Sequence, residues 1–185
     1  MTDQIAAGDS VLFMKIGIHA NEPLEEIIRR KKREIEETGF GMWGYGGNTC
    51  HPGTMVQPFA RDAHSRGKAI KLWMHEMKSD HRADPVRASL SSPDDIEYTE
   101  IPRTINVRGS RFALCIKDLH EAELELPLDA TQVALGNSKG RLGSTYIQGR
   151  VDKACLTVVG TSGPDSTTKI DLVAELVAPY AVYLK

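Results

Sequence analysis

The sequence predicts a single α+β domain on a mostly antiparallel, barrel-like or strongly bent sheet, with one long and one short helix near the N-terminus. Three observations predict it. About seven or eight apolar or alternating runs of strand length are spread along the chain. Helical spacing is confined to the first third, where Asn21–Gly39 and Pro58–Gly67 carry cap and breaker residues at the right places. The 185 residues suffice for one core, with no repeat, low-complexity linker or composition break to divide them.

The elements follow in order. Residues 1–10 read as a flexible N-terminus, and "SVLFMKIGIH" as the first strand. In the long helix Asn21 is the expected N-cap, Pro23 suits the first turn and Gly39 ends it. Leu24, Ile27, Ile28 and Ile35 form its apolar stripe. The basic run Arg29–Arg33 lies inside this helix, so its side chains point all round the axis. Glu25, Glu26, Glu36 and Glu37 stand four residues from basic partners, which reads as a solvated, salt-bridged helix rather than a nucleic-acid patch.

"PFARDAHSRG" reads as the short helix. "KAIKLWMHEM" alternates, with Ile70, Leu72 and Met74 on the core face and Lys71, Trp73, His75 and Met77 on the outer one. After a polar loop come strands at "IEYTEI", "RFALCIKDL" and "AELELPL", then the Gly-rich loop "GNSKGRLGST". "RVDKACLTVV" and "KIDLVAELV" read as a hairpin across "GTSGPDSTT", and "YAVYL" as the last strand.

Composition narrows the function classes. Hydrophobic content of 41% and charged content of 26% are those of a globular protein. A net charge of −2 argues against a dedicated non-specific nucleic-acid or membrane binder, while leaving room for a local basic patch. No apolar run approaches the ~20 residues of a membrane span, and the N-terminus lacks a signal-peptide pattern. Cys50, Cys115 and Cys155 are far apart with no C-x-x-C, which reads as free thiols in a reducing, cytoplasmic setting.

The stretch "TGFGMWGYGGNTCHPG", Thr38–Gly53, is the most unusual. Gly39, Gly41 and Gly44 fit G-x-G-x-x-G, but a helix precedes them and no helix can open at the third glycine, so the dinucleotide fingerprint fails. The kinase loop fails because no H-R-D or D-F-G follows. The RNA-recognition octamer matches at Gly39, Phe40, Gly41 and Tyr45 but lacks the strand that should separate it from the helix. What remains is local chemistry. Glycines permit close backbone approach and exposed N–H groups, and Trp43 and Tyr45 offer flat faces. Against this stands a tight turn whose aromatic residues simply pack inward.

The histidines form no metal pattern: "HEMKSDH" places His81 too far from His75 for one helical face, and no cofactor or metal is expected. Cys50 and His51 are neighbours and cannot form a dyad, so a Cys50 nucleophile would need another histidine such as His75. Further cations stand on loops, Lys139 and Arg141 in one and Arg103, Arg108 and Arg111 in another, where they would line the mouth of an anion site.

The order strand, helix, Gly-rich aromatic segment, then barrel strands resembles the PUA-like superfamily, which implies base or nucleotide recognition. The leading expectation is a non-catalytic module that binds a nucleobase, nucleotide or nucleic-acid end in a glycine- and aromatic-lined pocket. Trp43, Tyr45 and Trp73 would stack on it, the Gly46 and Gly47 amides would meet phosphate, Asn48 and His51 would give directional contacts, and Lys139 and Arg141 would close over it. One alternative is a small transferase or hydrolase using His51, His75 and Glu76 as acid–base groups, with Cys50 as nucleophile. Another is a protein-interaction or inhibitor domain anchored by Trp43 and Tyr45.

Overall fold

A computed structural model describes residues 3–17, 22–77, 86–148, 151–160 and 166–185. The expected cap Asn21, with His19 and His81, lies outside these residues. The strands are β1 (Ser10–Gly17), β2 (Gly41–Tyr45), β3 (Ile70–Met77), β4 (Leu90–Ser92), β5 (Thr99–Glu100), β6 (Phe112–Pro127), β7 (Thr131–Val133), β8 (Lys153–Val158) and β9 (Thr167–Leu184). The helices are α1 (Leu24–Thr38), α2 (Gln57–Ser65) and the single turn α3 (Gly143–Tyr146). A π-helical turn, Pro52–Val56, leads into α2, and a 3₁₀ turn, Leu128–Ala130, joins β6 to β7.

One sheet runs in the order β2-β6-β9-β3-β1-β8-β7, with β4 added to β9 and β5 to β4. Among the described residues every pairing is antiparallel except β1 with β3. The protein is thus a sheet-dominated α+β fold, and the expected barrel does not close, because β2 and β7 share no ladder. Its two ends nevertheless meet through side chains: Cys50, just after β2, brings its Sγ to 3.9 Å from that of Cys155 on β8. Register shifts on the long β6–β9 ladder supply the bulges that bend such strands.

α1 forms where its stripe of apolar residues predicts, and Gly39 at φ 88° closes it by donating its N–H to Ile35 O. The buried stripe is longer than the apolar one, since Lys31 and Glu34 continue Ile27 and Ile28 inward. The expected i,i+4 pairs give way to others: Arg29 pairs with Glu26, Arg30 with Glu22, and Lys31 with Glu34. Helical geometry turns Lys31 toward the sheet whatever its charge, and Glu34 one turn later meets it there.

Both faces of the sheet are covered. One face packs Leu12, Met14, Leu72 and Met74 against Ile27 and Ile28 of α1 and Phe59, Ala60 and Ala63 of α2. The other packs Val11, Phe13, Trp73, Leu156 and Val173 beneath Leu126, Leu128 and Ile147. Trp73 is therefore 2% exposed, so the outer face expected of β3 is a second core. A third cluster, with Met42, Ile105, Val107 and Val182, lies where the segment after β5 folds back over β2, β6 and β9.

Three further expectations differ from the fold. "RFALCIKDL" and "AELELPL" form one strand, β6, bulged around Asp118 at φ 53°. β8 and β9 are no hairpin: β8 pairs with β1 and β7, β9 with β3, β4 and β6. "IEYTEI" reduces to the two-residue β5, leaving Ile96 80% exposed. Residues 3–9 are held down: Lys71 donates to Gln4 O and Asp9 Oδ2, and Gly8 N–H donates to Val158 O. No helix among the described residues is long and apolar enough to cross a membrane.

Candidate functional site

The Gly-aromatic stretch is an edge strand followed by a turn. β2 pairs with β6 from Gly41↔Ile116 to Tyr45↔Phe112, and strand alternation sends Trp43 and Tyr45 into the helix-side core and Met42 to the opposite face. Gly44 is required by close approach: a Cβ there would stand 2.4 Å from Ser110 Oγ and 2.9 Å from Val107 Cγ2. Gly47, at φ 87°, begins the turn to Cys50, and Tyr45 donates its phenol hydrogen to Cys50 O at 2.7 Å.

A cleft of about 430 Å³ opens where the curled sheet fails to close. Its walls are the ends of β1 (Met14–Gly17) and β8 (Lys153), the β2 end (Trp43–Gly47), the inner side of α1, and residues 106–110. The cleft adjoins the carboxyl end of β1, which runs parallel to β3. Met14, Ile16, Leu24, Ile27 and Trp43 give it an apolar lining. Lys15, Arg30, Lys31, Arg108 and Lys153 line it too, against the carboxylates Glu22 and Asp152.

Each cation is positioned by its element. Lys153 shares the inward parity of Cys155 on β8; it is 4% exposed, donates to Asp152 Oδ1 at 2.8 Å and has its ammonium 5.9 Å from the Tyr45 ring centre. Lys31, 3% exposed, donates to both Glu34 oxygens at 3.1 Å and to Asn106 O at 2.8 Å. Glu34 Oε1 in turn accepts the Asn106 N–H, so this knot fastens the 106–110 segment to α1. Burial pulls the Lys31 ammonium down to about 8, partly offset by the Glu34 charge. Arg108 and Arg30 both reach Glu22 at the mouth.

Of the expected ligand residues, the cleft is lined by Trp43, Tyr45, Gly46 and Gly47, with Trp43 only 8% and Tyr45 only 6% exposed. Asn48 is exposed beyond it, and Trp73 lies on the opposite face of the sheet. Lys139 and Arg141 are exposed in the loop after β7, whose turn is closed by backbone bonds such as Gly140 N–H to Val133 O. His51 stands edge-on to Phe112 and Tyr183, with ring centres 5.4 Å away in each case. The missed residues are Lys15, Glu22, Arg30, Lys31, Asn106, Asp152 and Lys153. Only an inward-parity lysine on β8 and a charged pair in the α1 stripe could have signalled them.

The acid–base set is scattered. His75 Nδ1 lies 3.3 Å from Asp171 Oδ2, which accepts the Glu76 N–H at 2.8 Å. His51 touches Tyr183, twelve positions from Asp171 on the same strand, or about 40 Å along an extended chain. Cys50 is 2% exposed with its sulfur turned toward Cys155, and the Cys50 contact together with burial raises the Cys155 thiol. Glu76 instead lines a second cavity of about 610 Å³ with Glu25, Glu121, Glu123 and Asp171, an acidic groove that would repel anions. No three His, Cys, Asp or Glu among the described residues are arranged to hold a metal.

No family model, curated protein or solved structure matches this chain.

Proposed function

We propose that the cleft is a non-catalytic recognition site for a nucleotide or the end of a nucleic-acid strand. The observation that carries this reading is the gathering of Lys15, Arg30, Lys31, Arg108 and Lys153, from four parts of the chain, around the glycine-rich end of β2. In a protein of net charge −2, that is a local positive site with an apolar wall. Phosphate oxygens would meet the arginines, Lys153 and the Gly46–Gly47 backbone. The flat part of the ligand would lie against Trp43 and the aliphatic lining. Lys15 and Lys153 take the role expected of Lys139 and Arg141, beside Arg108, which the sequence already offered for the mouth of an anion site.

The volume lies in the range of small-molecule sites, roughly 300–1,000 Å³. The element order resembling the PUA-like superfamily suits the same chemistry, and the three unpaired cysteines suit a reducing, cytoplasmic setting.

The test is calorimetric titration with the four ribonucleoside triphosphates and a short single-stranded oligonucleotide. Saturable binding of at least one, weakened about tenfold or more by Arg108→Ser and by Lys15→Ser with the fold intact by circular dichroism, supports the reading. No saturable heat from any of them contradicts it.

A further inference from the structure

Glu22 stands at the mouth of the cleft, two residues before α1 begins. Its carboxylate is shared by two guanidinium groups from separate parts of the chain. Arg30 Nη1 on α1 donates to Oε1, and Arg108 Nη2 donates to Oε2 at 3.1 Å. The three side chains are only 21–33% exposed. Two arginines converging on one pair of oxygens is the arrangement that holds a phosphate or carboxylate group. Arg30 also keeps a buried Nε with no hydrogen-bond partner among the described residues, so Glu22 leaves part of the available donor set unused.

We propose that Glu22 is an internal stand-in for the ligand's phosphate: it occupies the Arg30–Arg108 pair in the free protein and is displaced when a phosphate enters. The inference rests on the reading of the cleft as a phosphate-binding site. A carboxylate offers two oxygens and one charge. A terminal phosphate offers three oxygens and up to two charges, and engages donors the carboxylate cannot. The exchange keeps Arg30 and Arg108 paired in both states, so neither partly buried guanidinium is left without a counter-charge when the cleft is empty. The tethered carboxylate competes from a high effective concentration, so weakly charged or single-oxygen ligands lose to it. If the clamp is closed about nine-tenths of the time, observed affinity is about tenfold weaker than that of the open cleft. Glu22 thereby sets both a concentration threshold and a preference for multiply charged groups.

The experiment is calorimetric titration of ATP and of inorganic pyrophosphate, at fixed ionic strength, into the full chain and two variants. Glu22→Gln removes the stand-in, while Glu26→Gln makes the same charge change on the solvent side of α1, where Glu26 pairs with Arg29. The expected result is binding about tenfold tighter in Glu22→Gln for both probes and within twofold of the parent in Glu26→Gln. Binding by Glu22→Gln where the parent shows none supports the proposal equally. Should Glu22→Gln not fold, Glu22→Asp, too short to span both arginines, is expected to bind several-fold tighter. Parent binding that Glu22→Gln leaves unchanged or weakens overturns the clamp alone and makes Glu22 a tie between α1 and residues 106–110. No binding of either probe by any of the proteins overturns the clamp together with the reading of the cleft.

Discussion

The sulfur of Cys50 lies 3.9 Å from the sulfur of Cys155, although Cys50 follows β2 at one end of the sheet and Cys155 is on β8 near the other. The open sheet therefore curls until its ends share one core, in which Trp43 and Tyr45 also sit. The cleft is the part of that seam that side chains leave unfilled. Cation placement on β1, β8 and α1 follows from the curl, because only the curl brings Lys15 and Lys153 opposite β2.

Burial of both sulfurs at the seam predicts inert thiols. The described structure leaves Cys50, Cys115 and Cys155 at 2%, 1% and 0% exposure, and burial pushes the Cys115 thiol up to about 12. A thiol reagent such as dithionitrobenzoate is expected to react with none of them in the native protein and with all three in denaturant. Rapid native labelling of Cys50 would revive it as a nucleophile.

Lys31 and Glu34 form a buried ion pair, and such pairs are costly to break singly. Lys31→Ala should lower stability by about 3–5 kcal/mol in urea unfolding, and Lys31→Met with Glu34→Leu by less, the remaining cost coming from the Asn106 N–H and C=O that lose their partners. The pH dependence has a definite sign. A base held at about 8 when folded binds fewer protons than the unfolded chain up to about 10.5. Stability from this group rises with pH across that window, and the rise should vanish in Lys31→Met.

Asp9 gives the opposite window. Burial alone would raise its carboxyl, but hydrogen bonds from Lys71, the Ala6 N–H and Lys68 hold it down to about 2. A carboxyl so depressed contributes stability above about pH 4 that is lost as pH falls toward 2. Asp9→Asn should cost about 2 kcal/mol at pH 7, and the gap from the parent should narrow between pH 4 and pH 2. A gap independent of pH would show that the carboxylate charge is not what binds Lys71.

Gly44→Ala should destabilise by about 1–3 kcal/mol, since its Cβ meets Ser110 and Val107 below contact distance. Removing the Ser110 side chain in Gly44→Ala with Ser110→Gly should restore part of that loss. Equal stability of Gly44→Ala and the parent would mean that residues 107–110 do not press on β2.

Local signals made some of this legible in the sequence and geometry withheld the rest. α1 and α2 were readable because apolar spacing and breaker residues lie within or beside each segment, and Gly39 takes the left-handed turn its position implied, although neither helix start carries a side-chain cap. β2 was hidden because glycines that read as a turn become strand residues only beside β6. Alternation on β3 separated its faces correctly but could not show that Leu126, Leu128 and Ile147 cover the Trp73 side. Adjacency suggested a β8–β9 hairpin, whereas β8 pairs with β1 and β7, and β9 with β3, β4 and β6. In the site, Trp43 through Gly47 were singled out by type. Lys31 and Lys153 were not, because an inward charge makes sense only once Asn106 reaches Lys31 and Tyr45 reaches Lys153 from other elements.

The two tryptophans give the most direct measurement of the central claim, because Trp43 lines the cleft and Trp73 is buried on the other face. Trp73→Phe leaves Trp43 as the sole reporter, and Trp43→Phe leaves Trp73. The nucleotide that binds by calorimetry, or ATP if several do, is titrated into each while fluorescence is followed. A saturable change in Trp73→Phe, with none in Trp43→Phe beyond absorption by the ligand, is the predicted result. A response carried by Trp73, or none from Trp43 at saturating ligand, would contradict the placement of the site in this cleft.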